Sequence, residues 1–532
     1  LVIIQKIFLV ANSGGTPLNP IILNTIIFKT LGIVGTAGTF FNPNFMVDFL
    51  FPIIIISVTL IFRAELTKFI KTVLSLNAIL MFIAVFLSGS RGGVIAFLIS
   101  ITLILLFSKK RIYLAIIPVF LTLFILIPNP LRKKIWKGTE SDPYIYKRID
   151  INKASLQMFL KKPIFGYGTG TYKNVARQFK FPVPGGASKY RMIAEQAHNE
   201  VAQFIVENGI VGGVFLLILV IWLIIMVILN RRKFDFYDYI LIGIIVGLLA
   251  HSIVDFNLRV PGVFIPFMIF LAILLRKDED DSKGVFFGGE IRWSALITLV
   301  FILLNVIIIT NYIGVLNRNK GLEYFNEKNL DLATDKLFFA THLSHFDSEA
   351  HRLLGLCYMY RFYNDFSQIN YEHCLAEFAL AMRYDSISAL IPFNIACFYE
   401  NLYFIKISND QKASYELNET ISYYRFAIER EPTLVLYRYR LAKFLFRINR
   451  NKNALEELEI ALNYEENYIN AHLLKSVILR KLGQETEAYS EFKKATEIDK
   501  RFLDSKTLNA YDKNLLHLDE FLRKFFKKED SN

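Results

Sequence analysis

Residues 210–229 read IVGGVFLLILVIWLIIMVIL, twenty positions without one charged side chain. A helix rises about 1.5 Å per residue, so roughly 17–25 apolar residues cross the hydrocarbon of a bilayer. This stretch therefore reads as a transmembrane helix. Seven more apolar runs fit the same template: Phe45–Phe62, Phe69–Leu87, Val94–Phe107, Ile112–Ile127, Tyr239–Val254, Val263–Leu275 and Ala295–Tyr312. Val94–Phe107 and Val263–Leu275 are short and need polar flanks or tilted neighbours to cross. The chain has 532 residues, 53% of them apolar, and a mean hydropathy of +0.36, with nearly all long apolar runs before Tyr312. Beyond Tyr312 the pattern turns charged and helical. The expected fold class is all-α: a polytopic helix bundle over residues 1–314, an α-solenoid over 315–515 and a charged tail over 516–532. Leu1–Val10 is apolar but lacks a basic leader and a small-residue cleavage site, so it is no signal peptide, and further spans are expected upstream.

Orientation follows from the short loops. One side gathers thirteen basic residues, including Lys109-Lys110-Arg111 and Arg231-Arg232-Lys233, against Arg91 and Arg259 on the other. The positive-inside rule makes the first side cytoplasmic. The loop 128–208 and everything after Tyr312 are then expected outside. Residues 128–200 carry fourteen Lys and Arg against five Asp and Glu. Two readings of that excess stand: a surface facing lipid headgroups, or a site for a phosphate-bearing substrate.

The soluble part repeats. Ala427, Ala461 and Ala495 are 34 residues apart, as are Glu431, Glu465 and Asp499, and Leu445 and Leu479. A period of 34 with small residues where paired helices cross is the tetratricopeptide pattern. Ala488, Phe492 and Ala495 fall at second-helix positions, and Pro432 ends a unit. Two less regular units surround Ala340 and Ala381, with an insertion near Leu402–Lys412. Such an array can dock a protein partner without performing chemistry. Cys357, Cys374 and Cys397 form no CxxC pair and read as small apolar core residues, not as a disulfide or zinc framework.

Four constellations carry chemical potential. Ser88-Gly89-Ser90-Arg91-Gly92-Gly93 is a tight turn between apolar helices, where an arginine needs a polar cavity or a snorkelling route to water. Tyr146-Lys147-Arg148-Ile149-Asp150 opens an amphipathic helix over Ile149–Leu160, followed by Phe165-Gly166-Tyr167-Gly168-Thr169-Gly170. No strand precedes those glycines, so a dinucleotide fold is excluded and a closely packed loop is expected. Gln196-Ala197-His198-Asn199-Glu200 precedes Glu207-Asn208-Gly209-Ile210 and supplies a candidate general base, His198, whose tautomer Asn199 or a nearby carboxylate fixes. His251 and Asp255, four apart on one helix face, are expected to pair beside Arg259. No Asp-x-Asp pair and no metal-spaced His/Cys cluster occurs in the loops, so neither metal nor cofactor is expected.

In order and spacing, Gly38-Thr39-Phe40-Phe41-Asn42-Pro43-Asn44, Ser88–Gly93, Arg148, Pro163–Tyr172 and His198–Gly213 resemble the O-antigen ligase and polymerase superfamily, over roughly residues 38–275. His251–Pro261 is similar to its tetratricopeptide-bearing branch. The resemblance implies an inverting glycosyltransferase of the bacterial cytoplasmic (inner) membrane that takes its glycan from an undecaprenyl-diphosphate carrier. It implies that Arg91 and Arg148 hold the diphosphate and that His198 activates the acceptor hydroxyl. Ser90, Asn199, Glu207, His251, Asp255 and Arg259 are then supporting residues. The family usually places a tryptophan four residues after the loop arginine; Asn152 stands there. A lipid, glycan or protein acceptor and a membrane are implied, and no nucleic acid. A polymerase or an O-linked protein glycosyltransferase would share the same site. A membrane-anchored repeat scaffold is the non-enzymatic alternative, and a transporter is disfavoured because the spans carry few ionisable groups.

Overall fold

The computed structural model describes residues 42–107, 143–183, 185–230, 234–275, 291–502, 508 and 510–526. The expected span Ile112–Ile127 and the apolar segment Leu1–Val10 lie outside them. Every regular element among the described residues is helical, and the all-α class holds. The chain divides into two compact units, residues 1–173 with 194–283, and residues 174–193 with 284–532.

The first unit contains α1 (Pro43–Ile61), α2 (Lys68–Ser88), α3 (Arg91–Phe107), α4 (Pro143–Lys161), α5 (Glu200–Asn230), α6 (Phe236–Ser252) and α7 (Pro261–Leu275). The helices at Pro43–Ile61, Lys68–Val85 and Glu200–Leu229 are long and apolar enough to cross a membrane; α3, α6 and α7 are shorter apolar helices. Phe51, Phe97, Ile244 and Leu248 lie in the core that α1, α3 and α6 share. Lipid offers no hydrophobic drive between helices, so close backbone approach has to supply the contact. Between α3 and α6 it does: a Cβ at Gly247 would lie 2.0 Å from Ser100 Oγ and 2.8 Å from the Ala96 carbonyl.

In the second unit, α8 (Ile291–Asn326) runs through the expected span Ala295–Tyr312 and continues as the first helix of the repeats. The boundary read at 314/315 thus falls inside one helix. Antiparallel partners follow: α9 (Leu330–Leu343) with α8, α10 (Ser348–Asp365) with α11 (Gln368–Tyr384), α12 (Leu390–Ser408) with α13 (Ser414–Arg430), α14 (Val435–Arg447) with α15 (Asn451–Tyr464), and α16 (Ile469–Lys481) with α17 (Glu485–Phe502). Ala333, Ala340, Ala381, Ala427, Ala461 and Ala495 are all buried on second helices, where small side chains let paired helices meet. The insertion near Leu402–Lys412 is mostly extra helix. α12 has 19 residues where α14 has 13, and Leu402 is buried in the core. Residues 516–532, read as a charged tail, include α19 (Glu520–Phe526), which follows α18 (Ala510–Leu516). Leu515 of α18 and Leu522 of α19 both lie in the repeat core.

Candidate active site

The site is built where α2 ends, α5 begins and α6 ends. Gly89 closes α2 in the left-handed conformation, φ +68°. Ser88 Oγ accepts from the Ser90 amide at 3.1 Å, and Ser90 Oγ accepts from the Gly93 amide at 3.1 Å, capping α3. Arg91 is therefore the first residue of a fixed helix. Ser90 Oγ also donates to Asn44 Oδ1 at 2.6 Å, and Asn44 Nδ2 donates to Asp255 Oδ2.

Asp255 is the hub. Its side chain is 1% exposed, and His198 Nδ1 lies 3.2 Å from Oδ1. The Phe256 amide donates to the same oxygen at 2.9 Å, and Arg148 Nη2 stands 3.9 Å from Oδ2. Burial pushes the Asp255 carboxyl up, but hydrogen bonds from His198, the Phe256 amide and Asn44 more than offset this and leave it below its ordinary value. An ionised carboxylate only accepts, so Nδ1 carries the proton and donates it, which leaves Nε2 of a neutral ring as the acceptor. His198 itself is 33% exposed, so the ring is oriented from a buried side and reachable from another. Its φ of +51° is a left-handed conformation that non-glycine residues avoid, and such strain concentrates where a side chain must be aimed.

The His198 loop is held by the start of α5. Gln203 is buried; its Oε1 accepts from the Ala197 amide at 3.0 Å and its Nε2 donates to Gln196 Oε1 at 2.6 Å. Arg259 binds Glu200 at 2.9 Å and Glu207 at 3.2 Å. Further along, α5 breaks at Gly209, φ +65°, and the loop after α4 fills the break. The Tyr167 and Gly168 amides donate to Val206 and Glu207 carbonyls (3.2 and 2.8 Å), while the Ile210 and Val211 amides donate to Pro163 and Ile164 carbonyls (2.8 and 3.2 Å). A Cβ at Gly209 would sit 2.2 Å from the Ile164 oxygen. The glycine-rich turn is thus a backbone splint on a helix. Ser155 of α4 and Tyr172 share a buried hydrogen bond of 2.6 Å, and burial pushes the Tyr172 phenol up to about 12, which keeps it protonated.

Two expectations change. His251 does not pair with Asp255: its Nδ1 lies 2.7 Å from Asp48 of α1, both side chains being fully buried. The reason is that α6 ends at Ser252, so His251 belongs to the helix and Asp255 to the turn beyond it. Of the two candidates for fixing the His198 tautomer, the carboxylate is the one in place; the Asn199 side chain instead accepts from the Ala202 amide at 3.0 Å, an N-cap of α5. Arg259, placed beside His251 and Asp255 in the sequence reading, instead serves the two glutamates of α5. Asn44, Asp48, Gln203 and Phe256, whose ring meets the His198 imidazole edge-on at 5.0 Å, were assigned no role. Asn44 and Phe256 lay inside quoted motifs, and Asp48 carried a signal of its own: a carboxylate inside an apolar span demands a partner.

Among solved structures the chain is similar to the MamA protein (17% identity, covering 37% of this chain and 97% of that one, TM-score 0.28). It is also similar to YrrB, described as a TPR protein with an unusual peptide-binding site (14%, 40% and 90%, TM-score 0.27). A third is the Pseudomonas aeruginosa pilF protein (16%, 42% and 87%, TM-score 0.29). No curated protein matches the chain. Residues 76–217, which hold Ser90, Arg91, Arg148 and His198 but not Asp255, match the model of the O-antigen ligase family.

Proposed function

We propose that the chain transfers a glycan from an undecaprenyl-diphosphate carrier to an acceptor hydroxyl at the outer face of a bacterial inner membrane, inverting the sugar's configuration. The family match over residues 76–217 supports a role in joining glycans at a membrane. The observation that carries the finer reading is the His198–Asp255–Arg148 cluster, in which one buried carboxylate serves both an imidazole at 3.2 Å and a guanidinium at 3.9 Å.

His198 Nε2 takes the proton of the acceptor hydroxyl as its oxygen bonds to the anomeric carbon. The bond from that carbon to the diphosphate breaks on the opposite face, and the electron pair leaves with the phosphate. Arg91 and Arg148 neutralise the growing charge, so the leaving group needs no added proton. Asp255 holds the imidazole in the right tautomer and stabilises the imidazolium that forms. A largely apolar groove of about 620 Å³ between α4 and α5, lined by Leu156, Phe159, Ile205 and Leu217 and reaching Asn199, suits the carrier's isoprenoid chain.

The test is the lipid-linked glycan profile of cells carrying His198→Ala in place of the wild-type chain. Full-length polymer accumulating on the carrier identifies a ligase, and single repeat units identify a polymerase. A profile unchanged from wild type removes the enzymatic reading and leaves a membrane-anchored scaffold.

A further inference from the structure

Residues 174–193 leave the first unit and return to it just before His198, yet they pack with the repeats. Glu465, fully buried at the end of α15, accepts from Ser188 Oγ at 2.5 Å and the Tyr190 amide at 2.8 Å through Oε1, and from the Lys189 amide at 2.7 Å through Oε2. Asp512 accepts from the Ser188 amide at 2.7 Å, and Asn467 donates to the Ala187 carbonyl at 3.0 Å. One repeat earlier, Glu431 binds Lys180 at 2.7 Å, with Arg177 at 3.9 Å; the Lys180 side chain is 1% exposed. Arg191 ties the segment to itself, donating to the carbonyls of Val183 at 3.2 Å and Ser188 at 2.5 Å.

Glu431 and Glu465 occupy one register position, each directly after a second helix. Asp385 holds that position earlier, but its shorter side chain turns back to the Ile387 and Ser388 amides at 3.1 and 3.0 Å. Asp499 holds it later and is exposed. The two glutamates are therefore spent on the inserted segment and not on the repeat's own turn. A buried carboxylate collecting three hydrogen bonds and a buried lysine held between Glu431 and the Tyr511 ring, 5.5 Å away, are costly groups that persist only when paired. The segment is covalently tethered, so it can reach this site without any second protein.

We propose that the repeat array grips residues 174–193 as an internal ligand, and that Glu431 and Glu465 are thereby positioning residues for His198. The inference rests on the glycan-transfer reading for its catalytic half. Ile193 lies five residues before His198, whose left-handed backbone needs a loop held under constraint.

The experiment uses the full-length chain in lipid nanodiscs. Amide exchange over residues 183–191 and the transfer rate are measured for Glu465→Ala, Glu465→Gln, and the loop-side variants Ser188→Ala and Lys180→Ala, which leave the repeats untouched. Exchange of the segment rises about tenfold or more in Glu465→Ala while α14 keeps its protection, because several charge-assisted hydrogen bonds are lost together. In the same variant kcat falls while KM for the lipid-linked donor holds, and Glu465→Gln, which keeps one acceptor oxygen, lies between. Ser188→Ala on top of Glu465→Ala adds little, since the hydroxyl's contact is already lost with the carboxylate. Unchanged exchange in the Glu465 and loop-side variants overturns the grip, and a freed loop with unchanged kcat overturns the positioning role. A wild-type chain that transfers nothing sinks the glycan-transfer reading and the positioning role with it, while the exchange data still decide whether the repeats hold the loop.

Discussion

Asp255 joins elements that are distant in sequence, and its removal separates orientation from binding. In Asp255→Asn the side chain keeps its shape but loses its charge, so the imidazole is no longer fixed with Nε2 as the acceptor. The expected loss is roughly 10²–10⁴-fold in kcat, with little change in KM for the donor, checked by steady-state kinetics on purified protein. The pH dependence has a defined sign. Asp255 is depressed in the fold by its hydrogen bonds, so the stability it contributes is complete above its unfolded value of about 3.9 and is lost only as pH falls through the lower folded value. The melting difference between wild type and Asp255→Asn should therefore be present at neutral pH and shrink below pH 4; a difference absent near neutrality contradicts the pairing. At this scale the sequence offered the candidate groups but not their wiring. His198, Arg91 and Arg148 stand out as residue types suited to proton transfer and phosphate binding, and the resemblance to the ligase superfamily implies their roles. Nothing local says that His198 meets a carboxylate 57 residues away and not Asn199 beside it, because that choice is made by where α6 stops.

Helices and repeats were legible in proportion to how far one period governs them. The apolar runs mapped onto α1, α2, α3, α5, α6 and α7 because a bilayer demands uninterrupted apolarity over a fixed length. Ala427, Ala461 and Ala495 were legible because each fills the same crossing of paired helices. The earlier units were harder to read: their longer helices, such as α12 with 19 residues, shift the spacing while preserving the packing. The break in α5 was hidden: the glycines of Gly166–Gly170 announced a closely packed loop, but nothing in the sequence says that it packs on the backbone around Gly209. Four backbone hydrogen bonds cross between them. Gly209→Ala would force a side chain onto the Ile164 carbonyl at a positive-φ position, at a cost of roughly 2–4 kcal/mol. The expected outcome is a lower melting temperature in detergent and faster proteolysis of the loop after α4. An alanine variant as stable as wild type would show that the break is not built on this glycine.

The charge of the whole molecule is +13, and the sequence left two readings for the basic excess of the 128–200 loop, lipid headgroups or a phosphate-bearing substrate. The structure adds an internal destination for part of it. Lys180 and Arg177 face Glu431, Lys189 faces Glu466 at 3.0 Å, and Lys173 faces Glu195 at 2.6 Å. These cations are already answered by the chain's own carboxylates. Arg148 differs, because the carboxylate it approaches at 3.9 Å is shared with His198 and Asn44, and its side chain is 40% exposed. That leaves it able to turn its remaining donors toward an incoming anion, and Arg91, at the start of α3, is the second guanidinium the proposal calls on. If guanidinium groups neutralise the diphosphate, catalysis depends on ionic strength and not on a divalent ion. The transfer rate at limiting donor should fall as salt is raised, because screening weakens capture over about 8–10 Å near physiological ionic strength. Treatment with a chelator should leave the rate unchanged. Arg148→Lys, which keeps the charge but loses the planar fork that matches phosphate oxygens, should lie between wild type and Arg148→Ala. A rate abolished by chelation and restored by magnesium or manganese would falsify the assignment of charge neutralisation to the two arginines alone.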